Sequence, residues 1–149
     1  PISGLNSENL DLLLQAIFSL LPEADQLYYP EDFVSDFPLK LNIAEIVREK
    51  FLGFLKEELP YSVAVLTDEV EERENLFFIQ VTILVERESQ KEIVIGKGGA
   101  NLKTVGILAR REIEELLGKK VFLELKVKIE RDWQNNPYLL KRLGYFIRD

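Results

Sequence analysis

A run of Gly-Lys-Gly-Gly at residues 96–99 separates two segments with helical hydrophobic patterns. The segment before the run, 89–95, begins at Ser89, a residue type that favours the N-cap position of a helix. The segment after it, 100–117, repeats apolar residues at helical spacing and ends at Gly118. The sequence therefore predicts a tight turn between two helices, and this restricts the folds that the chain can adopt.

The elements around this turn predict a mixed domain. In chain order they are a helix over 42–58, strands over 61–71 and 76–86, the two helices around the turn, a strand over 120–131 and a short helix over 137–143. The second and third strands alternate apolar with polar residues, which is typical of strands with one buried face. On the second of the two helices, Leu102, Val105, Leu108, Ala109, Ile113, Leu116 and Leu117 are expected to face inward. The order predicts an α+β fold with helices packed on a sheet.

The N-terminal part has a different organisation. A helix is expected over 9–21, because its leucines have helical spacing and Pro22 follows it. An acidic, proline-containing linker is then expected over 22–40, which marks a domain boundary. Its aromatic rings are expected to pack on a neighbouring surface: Tyr28, Tyr29 and Phe33. The chain begins at Pro1 and contains no methionine, so we expect a piece of a longer protein.

The composition argues against an enzyme. The 149 residues include no cysteine and no histidine, so disulfides, thiolate chemistry and the commonest general base are excluded. The carboxylate spacing predicts no metal site. No apolar stretch reaches the roughly 18 residues of a spanning helix, and no signal peptide is visible. We therefore expect a soluble, cytoplasmic protein without a catalytic or metal site of its own.

The charge is unevenly distributed. The net charge of −7 is unfavourable for binding nucleic acid. However, residues 1–90 hold 18 acids and 6 bases, whereas residues 91–149 hold 8 acids and 13 bases. The second part is thus basic, with a net charge of +5. This step fits a nucleic-acid surface in the second part, and it equally fits an ordinary fluctuation along an acidic chain.

Three glycine-rich motifs compete for residues 96–99. A P-loop requires glycine where Leu102 stands, and a dinucleotide-binding fingerprint requires glycine where Asn101 stands. The remaining motif is the G-x-x-G loop of KH domains, which lies between two helices and holds the backbone of about four nucleotides. Glycines allow the close approach of a sugar-phosphate backbone. The amide that opens the next helix at Ala100 adds partial positive charge.

The candidate RNA-binding residues follow from this motif. The loop itself consists of Gly96, Lys97, Gly98 and Gly99, and Lys103 adds a charge one turn into the following helix. Ile93, Val94 and Ile95 lead into the loop and could form an apolar floor for bases. Leu102 and Val105 are interpreted as ordinary core. Arg110 and Arg111 are expected on the outer helix face, paired with Glu114 and Glu115 rather than with RNA.

Several stretches match a known family. They read Glu-Arg-Glu-Ser-Gln-Lys at 86–91, Ile-Val-Ile-Gly-Lys-Gly-Gly at 93–99, Glu-Leu-Pro-Tyr-Ser-Val-Ala at 58–64, Tyr-Pro-Glu-Asp at 29–32, and the stretch from Val127-Lys128 to Asp132-Trp133. They run in order along nearly the whole chain and resemble the C-terminal part of the Era GTPase family. The resemblance implies a type II KH domain over 41–149, with a three-stranded sheet and helices on one face. It also implies that residues 1–21 carry the last helix of a GTPase domain.

The resemblance also implies sites and partners. Ser3 and Gly4 would belong to the last base-contacting loop of the nucleotide domain. Arg87, Ser89, Gln90 and Lys91 would lie beside the RNA. Era proteins bind single-stranded small-subunit ribosomal RNA near its 3′ end, assist assembly of the small ribosomal subunit and associate partly with the inner membrane. GTP and Mg²⁺ would be needed only by the longer parent. The alternative is a protein-interaction module that docks a ribosomal protein or the sister GTPase domain.

Overall fold

The structure, a computed structural model, describes residues 1–23, 37–53 and 62–145. Five helices and three strands are formed within these ranges. They are α1 (Leu10–Leu20), α2 (Leu39–Leu52), β1 (Ala64–Glu72), β2 (Phe77–Val85), α3 (Glu88–Ile95), α4 (Ala100–Leu117), β3 (Val121–Ile129) and α5 (Pro137–Arg142). A 3₁₀ turn, Lys97–Gly99, joins α3 to α4. Each predicted element is present, with bounds that differ by a few residues.

The chain divides into two compact units, Pro1–Asp36 and Phe37–Asp149. The division falls inside the predicted linker, 22–40. The first unit contains α1, which ends before Pro22 as the proline requires. The expected packing of the linker aromatics stays a prediction, because those rings lie outside the described residues.

The three strands form one mixed sheet in the order β1-β2-β3. β1 and β2 are an antiparallel hairpin joined by residues 73–76, and a bulge interrupts their register between Thr67 and Glu69. β2 and β3 are parallel, from Phe77 opposite Val121 to Val85 opposite Ile129. Parallel neighbours need a long crossover connection, which α3, the glycine turn and α4 provide. The α+β fold and the three-stranded sheet expected from the sequence are confirmed.

The inner face of the sheet carries the main core. Ile79, Val81, Ile83 and Val85 alternate along β2 and are all buried. Residues of α2, α3 and α4 cover them: Ile43, Val47, Phe51, Val94, Val105, Ala109 and Ile113. On α4 the buried residues recur every four positions, so one stripe of that helix meets the sheet. The packing of helices on this face therefore fixes where the glycine turn sits.

A smaller cluster lies on the opposite face of the sheet. Trp133 packs on Ala64 and Leu84, with Leu139, Leu140 and Leu143 around it. Ala64 and Leu84 are register partners, and the next pair, Val65 and Ile83, lies in the main core. Because successive residues of a strand point to opposite faces, Ala64 and Leu84 point away from that core. The Trp133 indole N–H also donates to the carbonyl oxygen of Ser62, 3.2 Å away. The C-terminal segment thus covers one end of this outer face.

Two details of the predicted helices were wrong. α2 begins at Leu39, three residues before the predicted start, because the backbone at Pro38 already accepts hydrogen bonds from Leu41 and Asn42. Its predicted end lies outside the described residues. On α4, Leu108 and Leu116 were expected to face inward but are 43% and 45% exposed. Leu108 is rotated off the buried stripe, and Leu116 lies in the last turn, beyond the last buried residue.

Candidate nucleic-acid interface

The glycine turn holds three residues in the left-handed region of backbone space. The φ angles of Gly96, Gly98 and Gly99 are 74°, 61° and 81°. Residues with a Cβ adopt such angles at a cost of about 1–2 kcal/mol each. Glycine is therefore needed for the chain to reverse between α3 and α4 within so few residues.

The three glycines differ in what surrounds them. A Cβ on Gly96 would come within 2.7 Å of Cγ of Asn101, whereas one on Gly98 or Gly99 would meet nothing within 4 Å. Gly96 is thus an internal packing position. Gly98 and Gly99 present bare backbone to open space, which is the condition for close approach by another chain's backbone.

Asn101 closes the turn from inside. Its side-chain Nδ2 donates to the carbonyl oxygen of Ile93 at 2.8 Å, which links the first turn of α4 to the last turn of α3. The last four carbonyl groups of a helix lack helical donors, so this bond satisfies one of them. The Ala100 N–H, expected to face a phosphate, donates instead to the carbonyl oxygen of Lys97. Nothing in the sequence pattern singled out Asn101 for this role.

A groove of about 400 Å³ runs beside the turn, between α4 and β3. Its lining consists of Gly99, Leu102, Lys103, Gly106, Ile107, Arg110, Leu123 and Leu125. A Cβ on Gly106 would lie 3.4 Å from Cδ1 of Leu125, so an alanine there would fit in van der Waals contact with the strand side chain. The floor is apolar, and two cationic side chains stand on its α4 side.

The predicted floor residues lie elsewhere. Val94 is fully buried in the main core, while Ile93 is 52% exposed and Ile95 is half-buried. The groove takes its apolar lining from α4 and β3 instead. Leu102, which was interpreted as ordinary core, both packs against the core and lines the groove. Leu123 and Leu125 of β3 were not predicted to line the groove. They are inward-facing residues of the strand, and its alternating pattern does not show that it pairs in parallel with β2.

Arg110 and Arg111 have different surroundings although they are neighbours. Arg111 pairs with Glu115 at 3.3 Å, as expected. Arg110 lines the groove, so its expected place on the outer helix face was wrong. The Glu114 carboxylate accepts a hydrogen bond from the Val121 N–H at 3.0 Å. This bond, together with the charges of Lys120 and Arg110, lowers the pKa of Glu114.

Five cations near the turn and the groove form no ion pair within the part of the chain that the structure describes: Arg87, Lys91, Lys97, Lys103 and Arg110. By contrast, the lysines and arginines elsewhere on α4 and β3 and in the turn between them are paired with carboxylates: Arg111, Lys119, Lys120, Lys126 and Lys128. Unpaired cations keep their full charge for an external anion. Apart from Arg131 and Lys141 near the C-terminus, the unpaired cations of residues 91–149 within the described ranges thus lie on α3, at the turn and along the groove.

Gln90 is committed to contacts within the protein. Its Oε1 accepts from the backbone N–H groups of Glu86 and Arg87, at 2.8 Å and 3.1 Å. Its Nε2 donates to the Ser62 hydroxyl at 3.1 Å. The N-cap of α3 is Arg87, so the expected capping role of Ser89 was wrong. Ser89 is instead exposed within the first turn of α3.

Ser3 and Gly4 lie in a tight loop of the first unit. The backbone of Ser3 exchanges two hydrogen bonds of 3.1 Å with Glu8, and its hydroxyl accepts from the Asn6 N–H. A Cβ on Gly4 would meet nothing within 4 Å, so alanine would also fit there. Among the described residues, no group of three or more carboxylates is placed to hold a metal ion. In the same ranges, each helix is too short or too polar to cross a bilayer.

The fold and the turn agree with one protein family over half of the chain. Residues 58–134 match the KH domain family. The chain belongs to the KH domain family. The match includes β1, β2, α3, the glycine turn, α4 and β3, so the KH fold expected from the sequence is confirmed.

Individual relatives sharpen this result. The chain is 51% identical to the GTPase Era of Alkaliphilus metalliredigens over 147 residues, which is 97% of this chain and 50% of that protein. A solved structure of an Aquifex aeolicus Era variant, bound to GDP·AlF4⁻, matches 99% of this KH-containing chain and 50% of its own, with 43% identity and a TM-score of 0.88.

A second solved structure contains RNA. It shows Era in complex with MgGDPNP and nucleotides 1506–1542 of 16S ribosomal RNA. It matches 99% of this chain and 49% of its own, with 44% identity and a TM-score of 0.89. The predicted resemblance to the Era family is thereby confirmed. The chain spans about half the length of the relatives it matches.

Proposed function

We propose that this KH domain binds single-stranded small-subunit ribosomal RNA near its 3′ end, as the RNA-binding part of an Era-like GTPase. The observation that carries the proposal is the set of unpaired cations beside an open glycine turn and an apolar groove. The similarity to an Era protein solved with a segment of 16S ribosomal RNA supports the same choice of ligand. Assistance in assembly of the small ribosomal subunit follows from that ligand.

The groove residues have distinct roles in this proposal. Gly98 and Gly99 allow the RNA backbone to approach the turn, since no side chain stands in the way. Lys97, Lys103 and Arg110 contribute positive charge for phosphates. The apolar floor offers a surface for base faces, which are accessible in single strands and stacked inside a duplex. The domain is therefore expected to prefer single strands.

The residues of α3 support this surface. Arg87 and Lys91 add unpaired charge one helical turn apart on α3, and Ser89 and the exposed side of Ile93 lie on the same short helix. Gln90, whose side chain is bonded within the protein, acts by positioning the start of α3 rather than by touching RNA. Ile95 adjoins Gly96 and supports the turn.

The remaining functions belong to the longer protein. The structures of the matched relatives contain GDP·AlF4⁻ and MgGDPNP. We propose GTP and Mg²⁺ for the full-length parent, with hydrolysis outside this chain. Ser3 and Gly4 would then form part of its guanine contact. We also infer from the family a cytoplasmic location with peripheral association at the inner membrane.

The test is RNA binding by the chain and by a double variant, Lys97→Asp with Gly98→Asp. Fluorescence titrations use a single strand with the sequence of the 3′ end of 16S ribosomal RNA and the same strand annealed to its complement, each at two salt concentrations. The parent is expected to prefer the single strand. The variant places two negative charges against phosphate and is expected to lose most of the binding.

A matched control separates local from general charge effects. Lys126→Asp changes an exposed lysine of β3 that is paired with Glu124, on the other face of the sheet. It is expected to bind RNA nearly as well as the parent. Equal RNA binding by the folded double variant and the parent would refute the proposal.

A further inference from the structure

The outer face of the sheet carries two stacked aromatic rings. Phe78 of β2 and Phe122 of β3 are register partners, with ring centroids 5.6 Å apart and planes 11° apart. Phe122 is 56% exposed although it is a large apolar residue. The Trp133 cluster covers Ala64 and Leu84, at the opposite end of this face. The stacked pair is thus an open aromatic surface on the side of the sheet away from the groove helices.

The protein already places a cation on one of these rings. The Arg73 guanidinium lies 4.4 Å from the centroid of Phe78, and its nitrogens donate to the Glu71 carboxylate at 2.6 Å and 3.0 Å. A guanidinium stacked on a ring and bonded to a neighbouring carboxylate is a favourable arrangement, because the ring face and the carboxylate are both negative. The exposed ring of Phe122 has no such cation among the described residues.

The surroundings of the pair are acidic. The β1–β2 hairpin, 64–85, contains five acidic residues and one basic residue. Three carboxylates lie on the same face of the sheet as the rings. Glu71 of β1 is the register partner of Phe78, and Glu69 of β1 and Glu124 of β3 lie one row farther along the sheet. Glu69 is exposed and has no ion pair within the described ranges. Arg73 and Lys126 are the neighbouring cations on this face and pair with Glu71 and Glu124, so the three carboxylates leave an excess of one negative charge, which favours a cationic ligand over the phosphates of RNA.

We propose that the surface formed by Phe78, Phe122, Glu69 and Glu124 binds an arginine-containing basic segment of a partner protein. A partner guanidinium would stack on Phe122 as Arg73 stacks on Phe78. The carboxylate of Glu124, two positions along β3 from Phe122, would supply the acidic group that Glu71 supplies to Arg73, and Glu69 on β1 would add attraction at longer range. The KH domain would then hold RNA on its groove side and a basic protein on its outer sheet face at the same time.

The test uses a fluorescent peptide of alternating arginine and glycine, titrated against the full chain at low salt. The peptide in which citrulline replaces arginine is the neutral control of the same size. Phe122→Ala and Phe122→Leu both remove the ring, and the leucine variant keeps an apolar side chain. Each is expected to weaken binding of the arginine peptide about fivefold, the effect of one exposed cation–π contact. Glu124→Gln is expected to weaken it by a similar factor, and Glu69→Gln, which lies farther from Phe122, by less.

Matched variants test whether the site is local. Tyr138→Ala removes another exposed ring, and Glu92→Gln removes another exposed, unpaired carboxylate. Both are expected to leave peptide binding unchanged, as is the double variant of Lys97 and Gly98. Equal affinity for the arginine and citrulline peptides would overturn the proposal. So would unchanged binding by both Phe122 variants, or a loss of RNA binding in place of peptide binding when Phe122 is changed.

Discussion

The side-chain amide of Asn101 donates a 2.8 Å hydrogen bond to the carbonyl oxygen of Ile93, across the glycine turn. The bond joins two helices whose junction is otherwise a turn of three residues, Lys97–Gly99. It also explains why Gly96 has no room for a side chain, since the Asn101 amide occupies that space. The geometry of the proposed RNA contact therefore depends on a residue that does not line the groove.

Asn101→Ala is expected to lower the free energy of unfolding by about 1 kcal/mol, the usual contribution of one hydrogen bond. RNA binding is expected to weaken as well, because the turn loses its closure. Asn101→Asp should be more damaging, since a carboxylate cannot donate and would face the Ile93 carbonyl oxygen. Urea denaturation and RNA titration measure the two effects. An Asn101→Ala variant with unchanged stability would show that the bond does not hold the turn.

Gly96→Ala is expected to destabilise the protein more than Gly98→Ala. Both substitutions place a Cβ at a positive φ, and the ψ of 170° at Gly96 makes that position the more restrictive of the two for any residue except glycine. Only the alanine at 96 also meets the Asn101 side chain, 2.7 Å away. The midpoints of urea denaturation compare the two variants directly. Equal midpoints would mean that the Asn101 side chain moves aside without loss.

Gly106→Ala is expected to stabilise the fold and weaken RNA binding. Alanine is favoured over glycine inside a helix by up to about 1 kcal/mol. Its Cβ would lie in contact with Leu125, 3.4 Å from Cδ1, and would narrow the groove. Gly53→Ala is the matched control, because Gly53 lies at the end of α2 in a helical conformation and does not line the groove. Unchanged RNA affinity in Gly106→Ala would argue against the groove as the binding site.

Arg110→Ala is expected to weaken RNA binding and Arg111→Ala to leave it nearly unchanged. The two residues are adjacent on α4, but only Arg110 lines the groove, while Arg111 is paired with Glu115. Loss of one phosphate contact should reduce the slope of log affinity against log salt by about 0.7 for a single strand. Titrations at several salt concentrations give the slope. The same slope for both variants would remove Arg110 from the RNA contact.

Glu114 is expected to make stability depend on pH in the acidic range. The Val121 N–H lowers the pKa of this carboxyl below its ordinary value of 4.5. The folded state thus prefers the charged carboxylate. Its contribution to the free energy of unfolding is fully present above the ordinary pKa and is lost as the pH falls through the lower pKa of the folded state. The parent is expected to exceed Glu114→Gln in stability at neutral pH. The difference should shrink in denaturation curves measured below pH 4.5, and a constant difference would contradict the assignment.

The hydrophobic pattern predicted the order of the elements and the core face of β2. Burial of one face requires apolar residues at helical spacing in helices and at every second position in strands. Ile79, Val81 and Ile83 alternate along a strand, and the glycines require a turn whatever surrounds them. The groove was harder to predict. Its walls are formed by α4 and β3. Leu123 and Leu125 line it because β3 pairs in parallel with β2, and no local sequence pattern shows that pairing. Arg110 was misplaced for a similar reason, since helical spacing shows which residues share a face but not what that face adjoins.

The parallel pairing of β2 with β3 also bears on the order of folding. Phe77 and Val121 are neighbours in the sheet, yet the whole of α3, the turn and α4 separates them along the chain. Contacts that close such long loops form slowly, whereas the β1–β2 hairpin needs only a short one. The strand that completes the groove is thus expected to dock late. RNA that binds the completed groove would stabilise the state in which β3 is docked. Ribosomal RNA present while the protein folds would therefore stabilise the last part of the domain to form.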